Sequence, residues 1–276
     1  YENHARINGL AIKTWGCYTI GDTYMATLTV IILAKNEEQH MKDCIASAQF
    51  ADEVLIIDDG STDKTVAIAE SMGARVVYHA MNGDWSQQRR FAVEEARSEW
   101  IFFLDADERI SPELQREVQD VLAKNEKKAY WIERSNVFHH NKATHGVLRP
   151  DYVLRFMPKE GTNIEGFVHE TISSTYPEAK LHGKMYHYTY DNWHQYFNKF
   201  NNYTTLAAKK YKEDGKSCSF VKDILIRPSW AFFKVYILDR GFLDGKMGFI
   251  LSVNHYFYTM IKYVKLYYLL KSNGKL

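Results

Sequence analysis

The chain has 276 residues, of which 46% are hydrophobic and 25% are charged, as in a globular protein with a sizeable core. No run of 18 apolar residues and no internal repeat occurs, so the sequence predicts neither a membrane-spanning helix nor a repeat protein. The first 24 residues also lack the ordered zones of a secretion signal, and five prolines exclude a long low-complexity linker.

The net charge of +1 conceals an uneven distribution along the chain. Residues 1–180 carry 20 Lys and Arg against 28 Asp and Glu (net −8), whereas residues 181–276 carry 15 against 6 (net +9). This asymmetry predicts that the C-terminal part faces something anionic, such as a membrane surface or a charged acceptor. A solvated basic face is the alternative.

The cysteines and the N-terminus lead to two smaller expectations. Cys17, Cys44 and Cys218 are far apart and fit no metal-ligand spacing, which favours a reducing compartment, and Cys44 falls on the apolar side of a helix. Clear periodicity begins only at Met25, so we expect residues 1–24 to be an added or upstream extension.

Strands alternating with helices open the predicted fold. The apolar runs 28–34 and 53–58 are predicted as buried strands, followed by the shorter strand 75–78 and the strand 100–104. The first predicted helix carries apolar residues at i, i+3, i+4 and i+7, which are Met41, Cys44, Ile45 and Ala48. Asn36 is predicted to cap this helix. Further helices are expected after residue 63, where one ends at Gly73, and from about 86 to 97.

Such alternation predicts right-handed crossovers and a mostly parallel sheet, whose ligands lie beyond the carboxyl ends of the strands. Three polar clusters, at 35–38, 58–63 and 105–108, follow strands of this sheet and should meet at one edge. No G-x-G-x-x-G or Walker-type loop is present, so a nucleotide there would be held by carboxylates, amides and a cation.

Asp105 and Asp107 form an Asp-x-Asp pair directly after a buried strand. Two carboxylates in an open, partly hydrated shell suit Mg²⁺ or Mn²⁺ bound to a diphosphate. The alternative is an acidic turn before the helix that begins at Ser111 and Pro112.

The remaining chain changes character twice. Short strand-like pieces at 129–132, 152–156 and 184–188 predict an antiparallel extension over the crevice. From Asn192 onward the chain predicts helices with aromatic stripes, and 12 of the 19 tyrosines lie in 181–276, mixed with lysines as on interfacial surfaces. The stripe residues are Trp193, Tyr196, Phe197, Phe200, Tyr203 and Ala207, then Phe249, Val253, Tyr256, Phe257, Met260, Val264 and Tyr267.

Three segments together resemble the inverting nucleotide-sugar glycosyltransferases of family 2, which have the GT-A fold. They are Ala-Lys-Asn-Glu-Glu at 34–38, Asp-Asp-Gly-Ser-Thr-Asp at 58–63 and Leu-Asp-Ala-Asp at 104–107. Arg89 stands where that family has the arginine of an Ala-Arg-Asn motif, although this chain reads Gln88-Arg89-Arg90.

A narrower resemblance is to the branch that adds β-1,4-glucose to the inner core of bacterial lipooligosaccharide. It rests on Asn-Gly-Asp-Trp-Ser-Gln-Gln-Arg at 82–89, Gly-Phe-Val-His-Glu at 166–170, Gly-Phe-Leu-Asp-Gly at 241–245 and Tyr-Val-Lys-Leu at 263–266. The resemblance implies transfer of a hexose, glucose, from a UDP-sugar to a heptose of the lipopolysaccharide inner core, with inversion and a divalent metal.

The resemblance also implies roles for particular residues. Asp105, Asp107 and His187 would bind the metal, with His169 as the competitor for the third place. Glu170 would be the catalytic base, with Asp151 as the alternative. The donor would be bound by residues near the strand ends and by two residues of the helix predicted at about 86–97. They are Ala34, Asn36, Glu37, Asp58, Asp59, Asp105 and Ala106, with Gln88 and Arg89 from the helix.

The sequence therefore predicts an α/β protein with a GT-A-like catalytic domain at 25–190 and a helical, basic, aromatic subdomain at 191–276. The nucleotide-binding half of the catalytic domain is 25–110 and the acceptor-side half is 111–190. We expect a cytoplasmic enzyme, peripheral on the inner membrane, with a lipid-anchored oligosaccharide as acceptor. The alternatives are a transferase for another lipid-linked or peptide acceptor and a non-catalytic nucleotide-sugar-binding module.

Overall fold

The computed structural model describes residues 19–20, 23–138, 141–142, 144–166, 171–190 and 192–272. The strands are β1 (Thr19–Ile20), β2 (Thr23–Tyr24), β3 (Leu28–Ala34), β4 (Glu53–Asp58), β5 (Arg75–Tyr78), β6 (Trp100–Asp105), β7 (Glu108–Ile110), β8 (Ala129–Phe138), β9 (Asn141–Lys142), β10 (Asp151–Pro158), β11 (Thr162–Glu165), β12 (Thr171–Ser174) and β13 (Glu178–Tyr190). The α-helices are α1 (Glu38–Ala48), α2 (Thr65–Ser71), α3 (Trp85–Glu95), α4 (Pro112–Lys124), α5 (Trp193–Glu213), α6 (Arg227–Phe233) and α7 (Gly245–Lys271). Two π-helical segments, Phe220–Ile226 and Lys234–Leu238, flank α6.

The main sheet has the order β5-β4-β3-β6-β10-β8-β13-β7, with β9 paired to β8. The first four strands are parallel, as the alternation of strands and helices predicted. Their carboxyl ends therefore lie at one edge, where Ala34 is opposite Asp58 and Leu33 is opposite Asp105. This register brings the three polar loops to a common rim.

The central parallel strands β3, β4 and β6 are mostly apolar, and both of their faces are covered. Successive side chains point to opposite faces, so Val30 and Phe102 join one core with Met41 and Ile45 of α1. The alternate residues form a second core; it includes Ile31, Leu55 and Phe103, together with Ala92 of α3 and Ala96 directly after that helix. Cys44 is fully buried in the first core, so the packing role predicted for it is confirmed.

The acceptor-side half departs from the expected antiparallel extension in one respect. β10 is antiparallel to both β6 and β8, but β13 runs parallel to β8. The difference arises because β10, β11 and β12 lie between β8 and β13 in the chain, so β13 returns by a crossover and not by a hairpin.

The predicted aromatic stripes of the C-terminal helices are only partly buried: Tyr196 is buried and Trp193 and Phe200 pack against it. In α5 the buried residues are Tyr196, Thr204 and Ala208, whereas Phe197 and Tyr203 of the stripe are about half exposed. α7 buries Gly248, Leu251, Ser252, Thr259, Tyr263, Leu266 and Leu269. Of its predicted stripe, Met260, Val264 and Tyr267 pack beside these residues, whereas Phe249 and Phe257 are about half exposed. The 3.6-residue period identified the helices, but it could not tell which apolar residues pack inward.

No helix within the described ranges is long and apolar enough to cross a membrane.

Candidate functional site

Two adjoining cavities lie at the carboxyl ends of β3, β4 and β6, and Leu33, Glu37 and Trp85 line both. The first cavity, of about 210 Å³, is completed by Ala34, Lys35, Asp59, Met81 and Gln88. The second, of about 470 Å³, is completed by Arg89, Asp105, Ala106, Asp107, His187, Thr189, Tyr190, Lys199 and Tyr203. Residues from all three polar loops therefore line one continuous crevice.

The first cavity offers a carboxylate held in a fixed orientation. Asp59 Oδ2 accepts a hydrogen bond from Lys35 Nζ at 2.9 Å, and Oδ1 accepts one from the Met81 backbone N–H at 2.8 Å. The Lys35 hydrogen bond, reinforced by the Met81 N–H, lowers the pKa of the Asp59 carboxyl below its ordinary value. Asp59 is thus an ionised acceptor for N–H or hydroxyl groups.

Asn36 and Asp58 hold the loops together and are not among the residues that line the two cavities. Asn36 has a left-handed backbone (φ 56°), and its Oδ1 accepts from the Thr62 N–H at 2.8 Å. The expectation that Asn36 caps α1 is wrong, because Glu37 precedes the helix and makes no side-chain cap. The Asp58 carboxylate is buried and accepts from the backbone N–H groups of Gly60 and Ser61.

Gln88 is also engaged within the protein. Its side chain is almost fully buried, and its Nε2 donates to the carbonyl oxygen of His79 at 2.9 Å. The same side chain contacts His79 Nδ1 through Oε1. Gln88 therefore forms part of the cavity wall with its polar atoms already paired.

Asp105 lies between two arginines from different elements. Arg89 of α3 donates to Oδ1 at 3.1 Å, and Arg155 of β10 donates to Oδ2. Arg155 also contacts Glu108 Oε1 at 3.2 Å, and Arg134 joins Glu108 at 3.5 Å. Burial alone would raise the pKa of Asp105, but the guanidinium groups of Arg155 and Arg89 outweigh it and hold that pKa well below its usual range.

Asp151, the alternative base, belongs to the same ion-pair network. Its two carboxylate oxygens accept from Arg134 Nε at 3.0 Å and Arg134 Nη2 at 2.7 Å. This two-point contact holds the carboxylate in place and engages both of its oxygens. Asp151 also lies outside the lining of both cavities.

Asp107 and His187 face each other in the second cavity, with His187 Nε2 3.2 Å from Asp107 Oδ2. β7 pairs with β13 so that His187 is opposite Glu108, and the Tyr188 N–H donates to the Asp107 carbonyl oxygen at 2.9 Å. Strand pairing thus brings together two residues that are 80 positions apart in the chain.

The tautomer of His187 follows from its second neighbour, Asn136. Asn136 Nδ2 donates to the carbonyl oxygens of Leu148 and Arg149, so its Oδ1 must be the atom 2.9 Å from His187 Nδ1. His187 Nδ1–H then donates to that oxygen. In the neutral imidazole the Nε2 lone pair therefore faces the Asp107 carboxylate, and a divalent cation satisfies two such acceptors.

This pair would offer two protein ligands to a cation. Over the described part of the chain, no three His, Cys, Asp or Glu side chains come together in a group that could hold a metal. Two protein ligands with the remaining positions filled by water and phosphate oxygens is an arrangement that Mg²⁺ commonly adopts. Asp105, by contrast, already has both carboxylate oxygens engaged by arginines.

Glu170 and His169 lie outside the described residues. The sequence alone did not assign Arg155 or Trp85 to the site. Arg155 could have been noticed as a single arginine inside the apolar strand predicted at 152–156. Trp85 lines both cavities. The sequence also did not assign Lys199 and Tyr203, four residues apart on α5, to the site. Their spacing puts them on one helix face, but only tertiary packing directs that face to the crevice.

In an open α/β sheet, a crevice at the carboxyl ends of the strands is the usual place for a ligand to bind. The family model described as glycosyl transferase family 2 matches residues 29–176. An uncharacterized glycosyltransferase of Rickettsia bellii is 30% identical over 253 residues, covering 87% of this chain and 85% of that protein. The lipopolysaccharide core biosynthesis glycosyltransferase LpsC of Rhizobium meliloti is 29% identical over 252 residues, covering 87% of this chain and 92% of LpsC.

Among solved structures, that of Staphylococcus aureus TarS residues 1–349 with UDP is 24% identical, with a TM-score of 0.37. The match covers 40% of this chain and 36% of that one.

The chain belongs to glycosyl transferase family 2 and is a glycosyl-transfer enzyme. The GT-A-like fold expected from the sequence is confirmed.

Arg155 should be essential for stability. We expect Arg155→Met to lower the free energy of unfolding by about 3 kcal/mol at pH 7, because it breaks the contacts with Asp105 and Glu108 and leaves these carboxylates with only Arg89 and the more distant Arg134. Urea denaturation would measure this. Arg116→Met is the control, since its pair with Glu113 is 72% and 64% exposed and should contribute at most about 1 kcal/mol. Equal losses in the two variants would contradict the role given to the network.

Proposed function

We propose that this enzyme transfers a hexose, glucose, from a UDP-sugar to a heptose of the lipopolysaccharide inner core, with inversion at the anomeric carbon. The observation that carries the proposal is the Asp107–His187 pair in a crevice that also contains the ionised Asp59. The relative LpsC, whose name assigns it to lipopolysaccharide core biosynthesis, supports the acceptor class. The motifs at 82–89, 166–170 and 241–245 support the glucosyltransferase branch.

In this proposal the first cavity receives the nucleoside. Asp59 accepts hydrogen bonds from the base or ribose, beside the Ala34 backbone and Glu37. Asn36, Asp58 and Gln88 act by holding the loops and the wall in place, since their polar atoms are paired within the protein. Their part in donor binding is thus indirect.

The second cavity receives the diphosphate and the sugar. Asp107 and His187 would hold Mg²⁺ or Mn²⁺, which supplies positive charge to the leaving diphosphate. Asp105 orients Arg89 toward the cavity and contributes to the donor site through water or ribose, beside Ala106. Arg89 adds positive charge near the diphosphate.

An inverting transfer requires a base on the acceptor side of the sugar. We assign this role to Glu170, because both carboxylate oxygens of Asp151 are engaged by Arg134 and Asp151 does not line either cavity. Glu170 takes the proton of the acceptor hydroxyl while the acceptor oxygen attacks the anomeric carbon from the face opposite the diphosphate.

Replacing Asp107 tests the cation pair. In the wild type, UDP with Mn²⁺ at a concentration of 100 times Kd should raise the free energy of unfolding by about 2.7 kcal/mol, by mass action. We expect Asp107→Asn and His187→Gln to lose most of this stabilisation. Thermal shift and calorimetry would measure it. Asp120→Asn, an exposed helix position, is the control. A full Mn²⁺-dependent shift in both variants would remove the metal assignment. Undiminished sugar transfer by both variants would also remove the metal assignment.

Replacing the base separates binding from chemistry. We expect Glu170→Gln to bind UDP-glucose with wild-type affinity and to lose at least about a hundredfold in transfer rate, the usual contribution of a general base. Single-turnover assays with heptose-containing acceptors would measure the rate. An unchanged rate would move the base to another residue, and a wild-type protein that binds donor without ever transferring sugar would favour the binding-module alternative.

The proposal also includes peripheral contact with an anionic membrane, where a lipid-anchored acceptor resides, on the cytoplasmic face. Ten large apolar side chains are exposed between residues 220 and 243; they are Phe220, Val221, Leu225, Ile226, Trp230, Phe233, Ile237, Leu238, Phe242 and Leu243. We call these the apolar surface. Exposed apolar patches of this extent are typical of interaction sites.

Charge favours an anionic bilayer as the partner of the apolar surface. Residues 245–272 contain four lysines and no acidic residue, and residues 216–243 contain five Lys and Arg against two Asp. Aromatic and aliphatic side chains that enter the headgroup region, next to lysines that meet anionic lipids, are characteristic of proteins that lie on a membrane.

Vesicle flotation tests this contact. We expect the wild type to float with phosphatidylglycerol vesicles, and the double variant Trp230→Glu, Phe233→Glu to remain in the dense fraction, because two carboxylates would have to enter the interface. Tyr78→Glu is the control, as Tyr78 is an exposed aromatic residue (68%, against 59% for Trp230 and 43% for Phe233) of β5, outside the apolar surface.

Equal flotation of the double variant would refute membrane contact through this surface. A wild type that does not float but forms a dimer, and loses it in the double variant, would assign the surface to a second copy of the chain.

A further inference from the structure

One wall of the second cavity comes from the C-terminal subdomain. Lys199 and Tyr203 of α5 line it together with Asp105, Asp107 and His187. Lys199 is half-buried, and its Nζ donates to the Thr189 carbonyl oxygen at 3.2 Å and lies 5.1 Å from the centre of the Tyr190 ring. These contacts hold the ammonium group at the cavity, close to the end of β13.

Lys199 differs from the arginines of the site in how its charge is balanced. Arg89 is paired with Asp105, and Arg155 with Asp105 and Glu108. Within the described ranges, the Lys199 ammonium has a carbonyl oxygen and an aromatic ring as neighbours and forms no ion pair with a carboxylate. Among the described residues, therefore, no acidic side chain neutralises its positive charge.

The cavity needs such a charge if it is to hold a diphosphate. Its lining includes three carboxylates, those of Glu37, Asp105 and Asp107, against the two cations Arg89 and Lys199. A diphosphate would add further negative charge in a site where water only partly screens it. An ammonium group has three N–H donors, so Lys199 can keep its bond to Thr189 and still donate to phosphate oxygens.

We propose that Lys199 binds the diphosphate of the donor and stabilises the negative charge that it acquires as it leaves. In the transfer, the acceptor oxygen forms a bond to the anomeric carbon, and its proton goes to the base. The bond from the anomeric carbon to the β-phosphate oxygen breaks, and its electron pair stays on that oxygen, where Lys199 donates a hydrogen bond. This inference rests on the proposed function and extends it by making α5 part of the catalytic site.

The test compares nucleotide and nucleoside. Lys199→Met keeps most of the aliphatic stem and removes the charge, Lys199→Arg restores a charge, and Lys209→Met removes an exposed lysine from the same helix. Calorimetry with UDP and with uridine, both in Mn²⁺, would be combined with transfer rates and thermal unfolding of each variant.

We expect Lys199→Met to weaken UDP binding at least about tenfold, as befits a lost charge-assisted hydrogen bond, with uridine affinity unchanged. Lys199→Arg should recover part of the UDP affinity, and Lys209→Met should match the wild type. If Lys199 only fastened α5 to β13, Lys199→Met would instead lower the unfolding temperature and weaken the binding of UDP and uridine alike. That result would overturn the inference.

Failure of this inference can be told apart from failure of the proposed function. If the wild type binds UDP and Lys199→Met binds it equally well, Lys199 has no part in the site, but the proposed function stands. If the wild type binds no UDP at all, the proposed function itself is wrong.

Discussion

The placement of Asp105 between Arg89 and Arg155 is the interaction on which the rest of the site depends. It joins the end of β6 to α3 on one side and to β10 on the other, so it connects the parallel half of the sheet to the acceptor-side half. Asp105, Asp107 and Glu108 are close together in the chain, and without the guanidinium groups their charges would repel. Because the arginines neutralise Asp105 and Glu108, the rim can present Asp107 to the cavity without disrupting the fold.

The acceptor-side strands determine what stands opposite Asp107. β13 returns parallel to β8 and pairs with β7, which places His187 at the cavity and Asn136 behind it. Asn136 is in turn oriented by two backbone carbonyl oxygens, so a chain of hydrogen bonds sets which imidazole nitrogen faces Asp107. A proposed cation site of only two protein ligands thus relies on several residues that never touch the cation.

The C-terminal helices contribute to both sides of the proposed function. One part of α5 lines the second cavity through Lys199 and Tyr203, while the apolar surface lies in the segment that follows it. A lipid-anchored acceptor would have to reach the cavity from a membrane in contact with that segment. In this proposal the basic, aromatic subdomain both docks the enzyme and completes the site for the leaving diphosphate.

The parallel half of the fold and the edge at which the site lies were predictable from the amino-acid sequence. The short apolar runs at 28–34, 53–58 and 100–104 alternate with helical segments, which favours buried parallel strands, and polar residues after parallel strands meet at one edge. Tertiary structure alone decided the direction of β13, the buried faces of α5 and α7, and the partners of Asp105. Arg155 and Lys199 lie 50 and 94 residues from Asp105, and local periodicity carries no information about contacts over such separations, because these depend on how strands and helices pack together.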